Sequence, residues 1–137
     1  MVNVLFICKH NRFRSRVASS YFNKINRNSK NIARGAGIYP DNSPLDENEV
    51  GISKIRGINI KGKPKKLNNN LLKWQDKIVI VANDVPKNKI RDYKKYNISV
   101  WKISDVDSAK DVQKAIRITI NKIVVQVKKL NKELNKA

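Results

Sequence analysis

The sequence predicts an α/β fold: three layers, α/β/α, with a central four-stranded parallel sheet. Short apolar runs rich in β-branched residues alternate along the chain with helical patterns. The clearest run, "DKIVIVAND" at 76–84, has four consecutive β-branched residues, which is typical of a strand buried on both faces. Strands that alternate with helices form a parallel sheet covered on both sides, and ligands bind outside the carboxyl ends of its strands.

The first three elements are a strand, a helix and a second strand. Residues 2–7, "VNVLFI", form an apolar run with β-branched members, and a helical pattern follows from about Ser15 to Asn26. Its apolar residues share one face of the helix: Ala18, Tyr21, Phe22 and Ile25. The second strand is expected over "NIARGAGI" at 31–38, where it ends in glycines.

A second helix is expected over 45–57, "LDENEVGISKIRG". It should begin near Ser43 and Pro44, because serine caps helices well and proline suits the first helical position. The segment that follows, "KGKPKKLNNN" at 61–70, is basic and rich in turn-forming residues. We therefore predict a loop there.

The last elements are a helix, a strand and a long C-terminal helix. The helix is expected over 87–95 and the fourth strand over "ISVWKI" at 98–103. From Ala109 onward, apolar residues recur every three or four positions, which indicates one apolar stripe along a helix. The stripe consists of Val112, Ile116, Ile120, Ile123, Val127, Leu130 and Leu134.

Length and composition suggest one domain over residues 1–137, with 40% hydrophobic residues to form its core. A single cysteine cannot form an internal disulfide, and no signal peptide or apolar run of roughly 20 residues is evident. We therefore expect a cytoplasmic protein that does not enter a membrane. The formal charge of +19 favours anionic partners, but it does not choose among phosphate esters, nucleic acid and acidic proteins.

The only cysteine, Cys8, stands where the first strand meets the first helix, in "VLFICKHNRFRSRVASSYF" at 4–22. A turn of this kind leaves backbone N–H groups free to surround an anion, and the helix dipole favours negative charge there. The same field stabilises a thiolate, which is a nucleophile. Arg14, at the end of the turn, can hold two oxygens of a phosphate with its planar guanidinium. We therefore predict a phosphate-binding loop after the first strand.

The other polar residues of this region fit the same chemistry. Asn11 tolerates left-handed backbone and can bond the turn together, and Ser15 can donate a hydrogen bond to the thiolate. Transfer of a phosphoryl group to Cys8 requires an acid that protonates the departing oxygen. Asp105 and Asp107, just after "VWKIS", are the candidates, whereas Asp84 at the end of the third strand is interpreted as structural.

These residues resemble the low-molecular-weight protein tyrosine phosphatase family, whose fold also serves a branch of arsenate reductases. The resemblance depends on "VLFICKHNRFRS", which is similar to the N-terminal strand and C-x-x-N-x-x-R-S loop of that family. It continues more loosely, in the expected order, through "ARGAGI", "GINI", "DKIVIVAND" and "VWKISDVD". The resemblance thus implies a protein tyrosine or aryl phosphate phosphatase.

The resemblance also implies roles. Cys8 would be the nucleophile, Arg14 would bind phosphate and the transition state, and Asp105 would be the general acid, then the base that helps water hydrolyse a phosphocysteine. The remaining residues implied to bind substrate are Lys9, His10, Asn11, Arg12, Phe13 and Ser15. Tyr39 is a candidate aromatic wall for a substrate ring, although ordinary packing explains it equally well. No metal or cofactor is expected.

Four departures from the family pattern stand out. His10 replaces a common glycine, Val106 a usual proline and Phe13 a frequent second cysteine, and the cysteines of a thioredoxin-coupled relay are missing. We expect a phosphorylated protein or small aryl phosphate as substrate, with inorganic phosphate, arsenate or sulfate as anion ligands. The alternatives are arsenate reduction with an external small thiol and a non-catalytic module that binds anions or nucleic acid. Nucleic acid is the less favoured partner, because binding it needs no cysteine and arginine at this spacing.

Overall fold

A computed structural model of the chain describes residues 1–106 and 110–136. Its four strands form one parallel sheet in the order β2-β1-β3-β4. The strands are β1 (Asn3–Cys8), β2 (Ile32–Gly37), β3 (Lys77–Val81) and β4 (Ile98–Trp101). The predicted α/β fold with a four-stranded parallel sheet is therefore confirmed, and the strand that carries Cys8 lies inside the sheet between β2 and β3.

Helices cover both faces of the sheet, because alternate residues of each strand point to opposite sides. The helices are α1 (Arg14–Ile25), α2 (Glu47–Ile55), α3 (Asn69–Trp74) and α4 (Val112–Leu134). On one face, Val4 and Phe6 of β1 pack in a cluster with α1 and α4, and α2 packs against that cluster. On the other face, Leu5 and Ile7 pack with Leu72 of α3.

The long C-terminal helix buries most of its predicted stripe, but Val112 at its start is 38% exposed and Leu134 at its end is only partly buried. Its buried members include Ile116, Ile120, Ile123, Val127 and Leu130. The helix begins after Asp111, whose carboxylate accepts a hydrogen bond from the backbone N–H of Lys114 at 3.1 Å. The predicted start at Ala109 lies outside the described residues. None of the helices in the described ranges is long and apolar enough to span a membrane.

The second helix begins later than predicted. Asp46, not Ser43, caps α2: its carboxylate accepts a hydrogen bond from the N–H of Glu49 at 2.9 Å. The N–H of Ser43 instead donates to Asp41, and the carbonyl of Pro44 accepts from Arg12. The prediction of a start at Ser43 and Pro44 is wrong because these residues belong to a turn that contacts the loop after β1.

The helix predicted over 87–95 is also wrong. The segment contains two short 3-10 turns, Lys87–Lys89 and Tyr93–Lys95, separated by extended and left-handed backbone. Asp92 has a φ of 59°, which an α-helix cannot include, and Ile90 is the only one of the nine residues that is fully buried. With one buried anchor, the segment lacks the apolar face that stabilises a helix.

One helix was not predicted. The loop expected over 61–70 ends at Asn68, whose side chain accepts a hydrogen bond from the N–H of Leu71 at 2.8 Å and caps α3. This helix has only six residues. Its apolar pattern is too short to stand out from the asparagines before it.

Candidate active site

The loop between β1 and α1 surrounds the only cysteine of the chain. Cys8 is the last residue of β1 and is 2% exposed, and Arg14 is the first residue of α1. Among the backbone hydrogen bonds of the described residues, none has its donor in residues 10–13. The loop therefore keeps these N–H groups available for an anion, at the positive end of the α1 dipole.

A chain of hydrogen bonds connects Cys8 to the base of the loop. The backbone N–H of Lys65 donates to Oδ1 of Asn11 at 2.9 Å, and Nδ2 of Asn11 donates to Oγ of Ser15 at 2.7 Å. Because Ser15 accepts this bond, its own proton is available for Sγ of Cys8, 3.1 Å away. The side chains of Cys8, Asn11 and Ser15 are buried, and Ser15 is placed to donate a hydrogen bond to the sulfur.

The turn depends on two special backbone positions. Asn11 has a φ of 52°, a left-handed conformation that asparagine tolerates better than most residues. Gly37, at the end of β2, lies so close to the loop that a Cβ there would be 2.8 Å from the backbone of His10 and Asn11. The glycine is thus required by close packing of two backbones, and the "ARGAGI" segment carries that signal in the sequence.

Arg14 is only 4% exposed, and three groups of the protein contact its guanidinium. One NH₂ group donates to the carbonyl of Ile103 at 2.9 Å. The other donates to Oδ1 of Asp84 at 3.1 Å and lies 3.7 Å from Oδ2 of Asp105. Asp84 thus contacts the arginine that is proposed to bind phosphate. Its position in the sequence, just after β3, did not predict this contact.

Asp105 faces the same cavity as Cys8. Its Oδ1 accepts the N–H of Val106 at 2.7 Å, and the other oxygen points toward Arg14. Asp107, the rival candidate for the acid, lies outside the described residues. The cavity has a volume of about 350 Å³ and is lined by Cys8, His10, Arg12, Phe13, Arg14, Asp41, Asp46, Glu49, Asp105, Val106 and Val112.

Among the candidate substrate-binding residues, four do not line this cavity: Lys9, Asn11, Ser15 and Tyr39. Tyr39 is 54% exposed, and its backbone meets the loop instead: its carbonyl lies 2.6 Å from Nδ1 of His10, within hydrogen-bond distance. Its N–H donates to the carbonyl of Lys9 at 2.8 Å. The structure thus brings the His10 ring to the cavity and leaves the ring of Tyr39 and the side chain of Lys9 outside the lining.

Three carboxylates from outside the loop form part of the cavity wall. Asp41 accepts a hydrogen bond from Arg12 at 3.3 Å, and hydrogen bonds from Ser43 hold the pKa of Asp41 below its usual range. Asp46 and Glu49 follow at the start of α2. These three acids were not predicted as site residues, because they are distant in sequence from the loop and α2 was expected to begin earlier.

Arg16 connects the loop to the segment that contains Lys61 and Gly62. Its Nε donates to the carbonyl of Asn11, and one NH₂ group donates to the carbonyls of Lys61 and Gly62, each at 2.8 Å. Burial lowers the pKa of Arg16, since a charged guanidinium loses hydration there. This arginine was also missed, because its neighbour Arg14 explains the loop motif without it.

Several solved structures share this fold. The YwlE arginine phosphatase from Geobacillus stearothermophilus is 15% identical, with a TM-score of 0.84 over 99% of this chain and 94% of that one. A low molecular weight protein tyrosine phosphatase from T. tengcongensis is 21% identical, with a TM-score of 0.81 over 97% and 99%. An arsenate reductase from Archaeoglobus fulgidus is 26% identical, with a TM-score of 0.73 over 94% and 98%.

Comparison with curated proteins gave no significant match. The family model described as low molecular weight phosphotyrosine protein phosphatase, in contrast, matches residues 3–137, which is nearly the whole chain. The resemblance seen in the loop sequence is therefore confirmed over the full fold: the chain belongs to the low molecular weight phosphotyrosine protein phosphatase family.

Proposed function

We propose that the chain is a phosphomonoesterase that hydrolyses phosphotyrosine in proteins, or another aryl phosphate, through a phosphocysteine on Cys8. The observation that carries the proposal is the hydrogen-bonded series Asn11, Ser15 and Cys8 in a loop whose N–H groups are available for an anion. Family membership supports the same reaction class. The proposed enzyme acts as one domain in the cytoplasm.

The first step is attack by the Cys8 thiolate on phosphorus. An S–P bond forms while the bond from phosphorus to the aryl oxygen breaks, and Asp105 gives its proton to the departing oxygen. Arg14 and the loop N–H groups stabilise the charge on the transferring phosphoryl oxygens. Ser15 then stabilises the sulfur when it leaves.

The second step is hydrolysis of the phosphocysteine. Asp105, now deprotonated, accepts a proton from water, the water oxygen attacks phosphorus, and the S–P bond breaks to return the thiolate and inorganic phosphate. The position of Asp105 on the cavity wall with Cys8 supports this assignment. Asp107 is the alternative acid.

Turnover of p-nitrophenyl phosphate across pH 4–8 tests the proposal. We expect the wild-type protein to release p-nitrophenol and the Cys8→Ser variant to be slower by several orders of magnitude, since a serine hydroxyl is a far poorer nucleophile here. Wild-type activity no higher than that of Cys8→Ser would refute the proposal. Circular dichroism of both proteins checks that the variant is folded.

The acidic cavity wall favours a second candidate substrate, phosphorylated arginine. Asp41, Asp46 and Glu49 would attract a guanidinium leaving group, and two solved structures with this fold are of YwlE arginine phosphatases. The chemistry is the same except that a P–N bond breaks and nitrogen is protonated. A higher kcat/KM for phosphoarginine than for phosphotyrosine, in peptides of one sequence, would favour this candidate.

Arsenate reduction is a further candidate, supported by the 26% identity to the Archaeoglobus fulgidus arsenate reductase. Reducing As(V) to As(III) takes two electrons from thiols, and Cys8 is the only thiol of the chain. Two molecules of an external small thiol must therefore supply both electrons over a full cycle and leave as their disulfide, while Cys8 returns to the thiol and arsenate loses one oxygen as water. Arsenate-dependent arsenite release with glutathione would support this reaction, and no release with any small thiol would exclude it.

A further inference from the structure

Two lysine-rich segments border the candidate active site. The first lysine segment, 61–66, carries Lys61, Lys63, Lys65 and Lys66. The second lysine segment, 87–95, carries Lys87, Lys89, Arg91, Lys94 and Lys95. All nine of these cationic residues are exposed, and Asp92 is the only acid in either segment.

The first lysine segment is attached to the phosphate-binding loop through its backbone. The N–H of Lys65 donates to Asn11 at 2.9 Å, and the carbonyls of Lys61 and Gly62 accept from Arg16. The backbone of Lys66 also forms a parallel β-bridge with Gly37 at the end of β2. The backbone is thus held against the loop while the four lysine side chains extend into solvent.

The second lysine segment leaves the sheet on the other side of Cys8. It follows β3, and β1 lies between β2 and β3 in the sheet. The first segment is held at the end of β2 by the β-bridge between Lys66 and Gly37, and the second begins six residues after Val81, the last residue of β3. The two segments are thus anchored at the strands on either side of the one that carries Cys8. Ile90 fixes the second segment in the cluster around α3.

The charges around the site are therefore divided between the two faces of the sheet. The carboxylates Asp41, Asp46 and Glu49 line the cavity beside α2, on the face that α1 and α4 also cover. The second lysine segment lies on the α3 face, and the first crosses to that face where Leu67 packs. A polypeptide extending from the cavity over the α3 face would meet mainly cations.

We infer that the two lysine segments bind an acidic stretch of polypeptide next to the phosphorylated residue of the substrate. The inference rests on the proposed phosphatase function, since it concerns the part of the substrate outside the cavity. Exposed cations attract acidic side chains over about a Debye length, roughly 10 Å at 0.1 M salt. They raise the rate of encounter with acidic partners and favour such partners over neutral ones.

Binding of three phosphotyrosine peptides tests the inference. The peptides are identical except for four flanking residues, which are all Glu, all Gln or all Lys. The Cys8→Ala protein is used, so that binding is measured without turnover. We expect about tenfold tighter binding of the Glu peptide than of the Gln peptide at low salt, with the preference lost at high salt.

Variants locate the surface. Four substitutions in the first lysine segment, Lys61→Gln, Lys63→Gln, Lys65→Gln and Lys66→Gln, should reduce the Glu-to-Gln preference to about threefold or less. The readout is a ratio within one protein, so a small disturbance of the loop does not affect it. The equivalent substitutions Lys87→Gln, Lys89→Gln, Lys94→Gln and Lys95→Gln should have a similar effect.

The matched control places four equivalent substitutions at the far end of α4 and just beyond it: Lys128→Gln, Lys129→Gln, Lys132→Gln and Lys136→Gln. Val112 at the start of α4 lines the cavity, and a rise of 1.5 Å per residue places Lys128 about 24 Å farther along the helix. The control should keep the full preference. An equal loss in the control would show that net charge alone acts, and would overturn the inference.

Two further outcomes would overturn it. One is equal affinity for the Glu and Gln peptides at low salt. The other is displacement of the Glu peptide by single-stranded RNA of the same charge at a lower concentration, which would show that the surface fits nucleic acid instead. Wild-type turnover of p-nitrophenyl phosphate, measured in parallel, distinguishes failure of the proposed phosphatase function from failure of the lysine surface.

Discussion

The guanidinium of Arg14 donates a hydrogen bond to Asp84 at 3.1 Å, and Arg14 itself is only 4% exposed. A buried arginine with a carboxylate on one side keeps its fork in one orientation, and the bond to Ile103 holds the other NH₂ group. We therefore expect Asp84 to act as a positioning residue, which orients the group that would hold the phosphate although Asp84 does not line the cavity itself.

Replacing Asp84 with asparagine should lower kcat/KM for p-nitrophenyl phosphate about tenfold to a hundredfold, because a freed Arg14 no longer meets the phosphoryl oxygens at the right angle. The loss should be larger in kcat than in KM, and Asp84→Glu should recover part of it. Asp92→Asn is the control, since Arg14 contacts Asp84 and Asp105 but not this exposed aspartate. Equal kinetics for Asp84→Asn and the wild type would contradict the positioning role.

Asp105→Asn should lower kcat about a hundredfold for a phenyl phosphate but less for p-nitrophenyl phosphate. The reason is that a poor leaving group needs the proton of the acid, whereas p-nitrophenolate leaves more easily without it. Rates for a series of aryl phosphates provide the measurement. If Asp107→Asn, and not Asp105→Asn, gives this dependence on the leaving group, the acid is Asp107.

Gly37→Ala should destabilise the protein and reduce activity together. A methyl group there would lie 2.8 Å from the backbone of His10 and Asn11, and backbone cannot move aside without shifting the loop. We expect the free energy of unfolding to fall by about 1–3 kcal/mol, measured by urea denaturation. Gly51→Ala is the control: nothing lies within 4 Å of that position in α2, so alanine should stabilise it by about 0.5–1 kcal/mol.

Two substitutions at Asn11 separate its backbone role from its side-chain role. Asn11→Gly keeps the left-handed φ and loses the bonds to Ser15 and Lys65. Asn11→Ala loses the same hydrogen bonds and also disfavours the left-handed φ, so this variant should be less stable than Asn11→Gly by about 1 kcal/mol. Similar unfolding curves for the two variants would show that the left-handed backbone at this position costs alanine nothing.

Much of the fold was predictable because β1 and β3 are continuous apolar runs and α4 carries a long apolar stripe. Ile78 to Val81 and the stripe of α4 bury side chains at regular spacing, and such spacing is readable from one sequence. The structure of 87–95 was not predictable, since its single buried residue, Ile90, produces no apolar periodicity. The start of α2 was missed because Asp46 and Ser43 are equally good caps, and only the bond from Arg12 to Pro44 separates them.

The candidate site was predictable where its residues are close together in sequence and, for Asp105, where the resemblance to the family marked the acid after the fourth strand. Cys8, Asn11, Arg14 and Ser15 lie in one turn, so their spacing carried the signal. Asp84 and the acids of the cavity wall reach the site through tertiary packing, and no local pattern marks them. Tyr39 illustrates the reverse: its place after β2 suggested a cavity wall, but its side chain is exposed while its carbonyl meets His10.

The most direct test of the central claim is detection of the phosphocysteine itself. Protein stopped during turnover of p-nitrophenyl phosphate is digested, and the peptide that contains Cys8 is analysed by mass spectrometry. We predict one added phosphoryl group on Cys8 in the wild type, more of it in Asp105→Asn if loss of the base slows hydrolysis, and none in Cys8→Ala. Rapid turnover with no phosphoryl group on Cys8, or with one on another residue, would contradict the proposed mechanism.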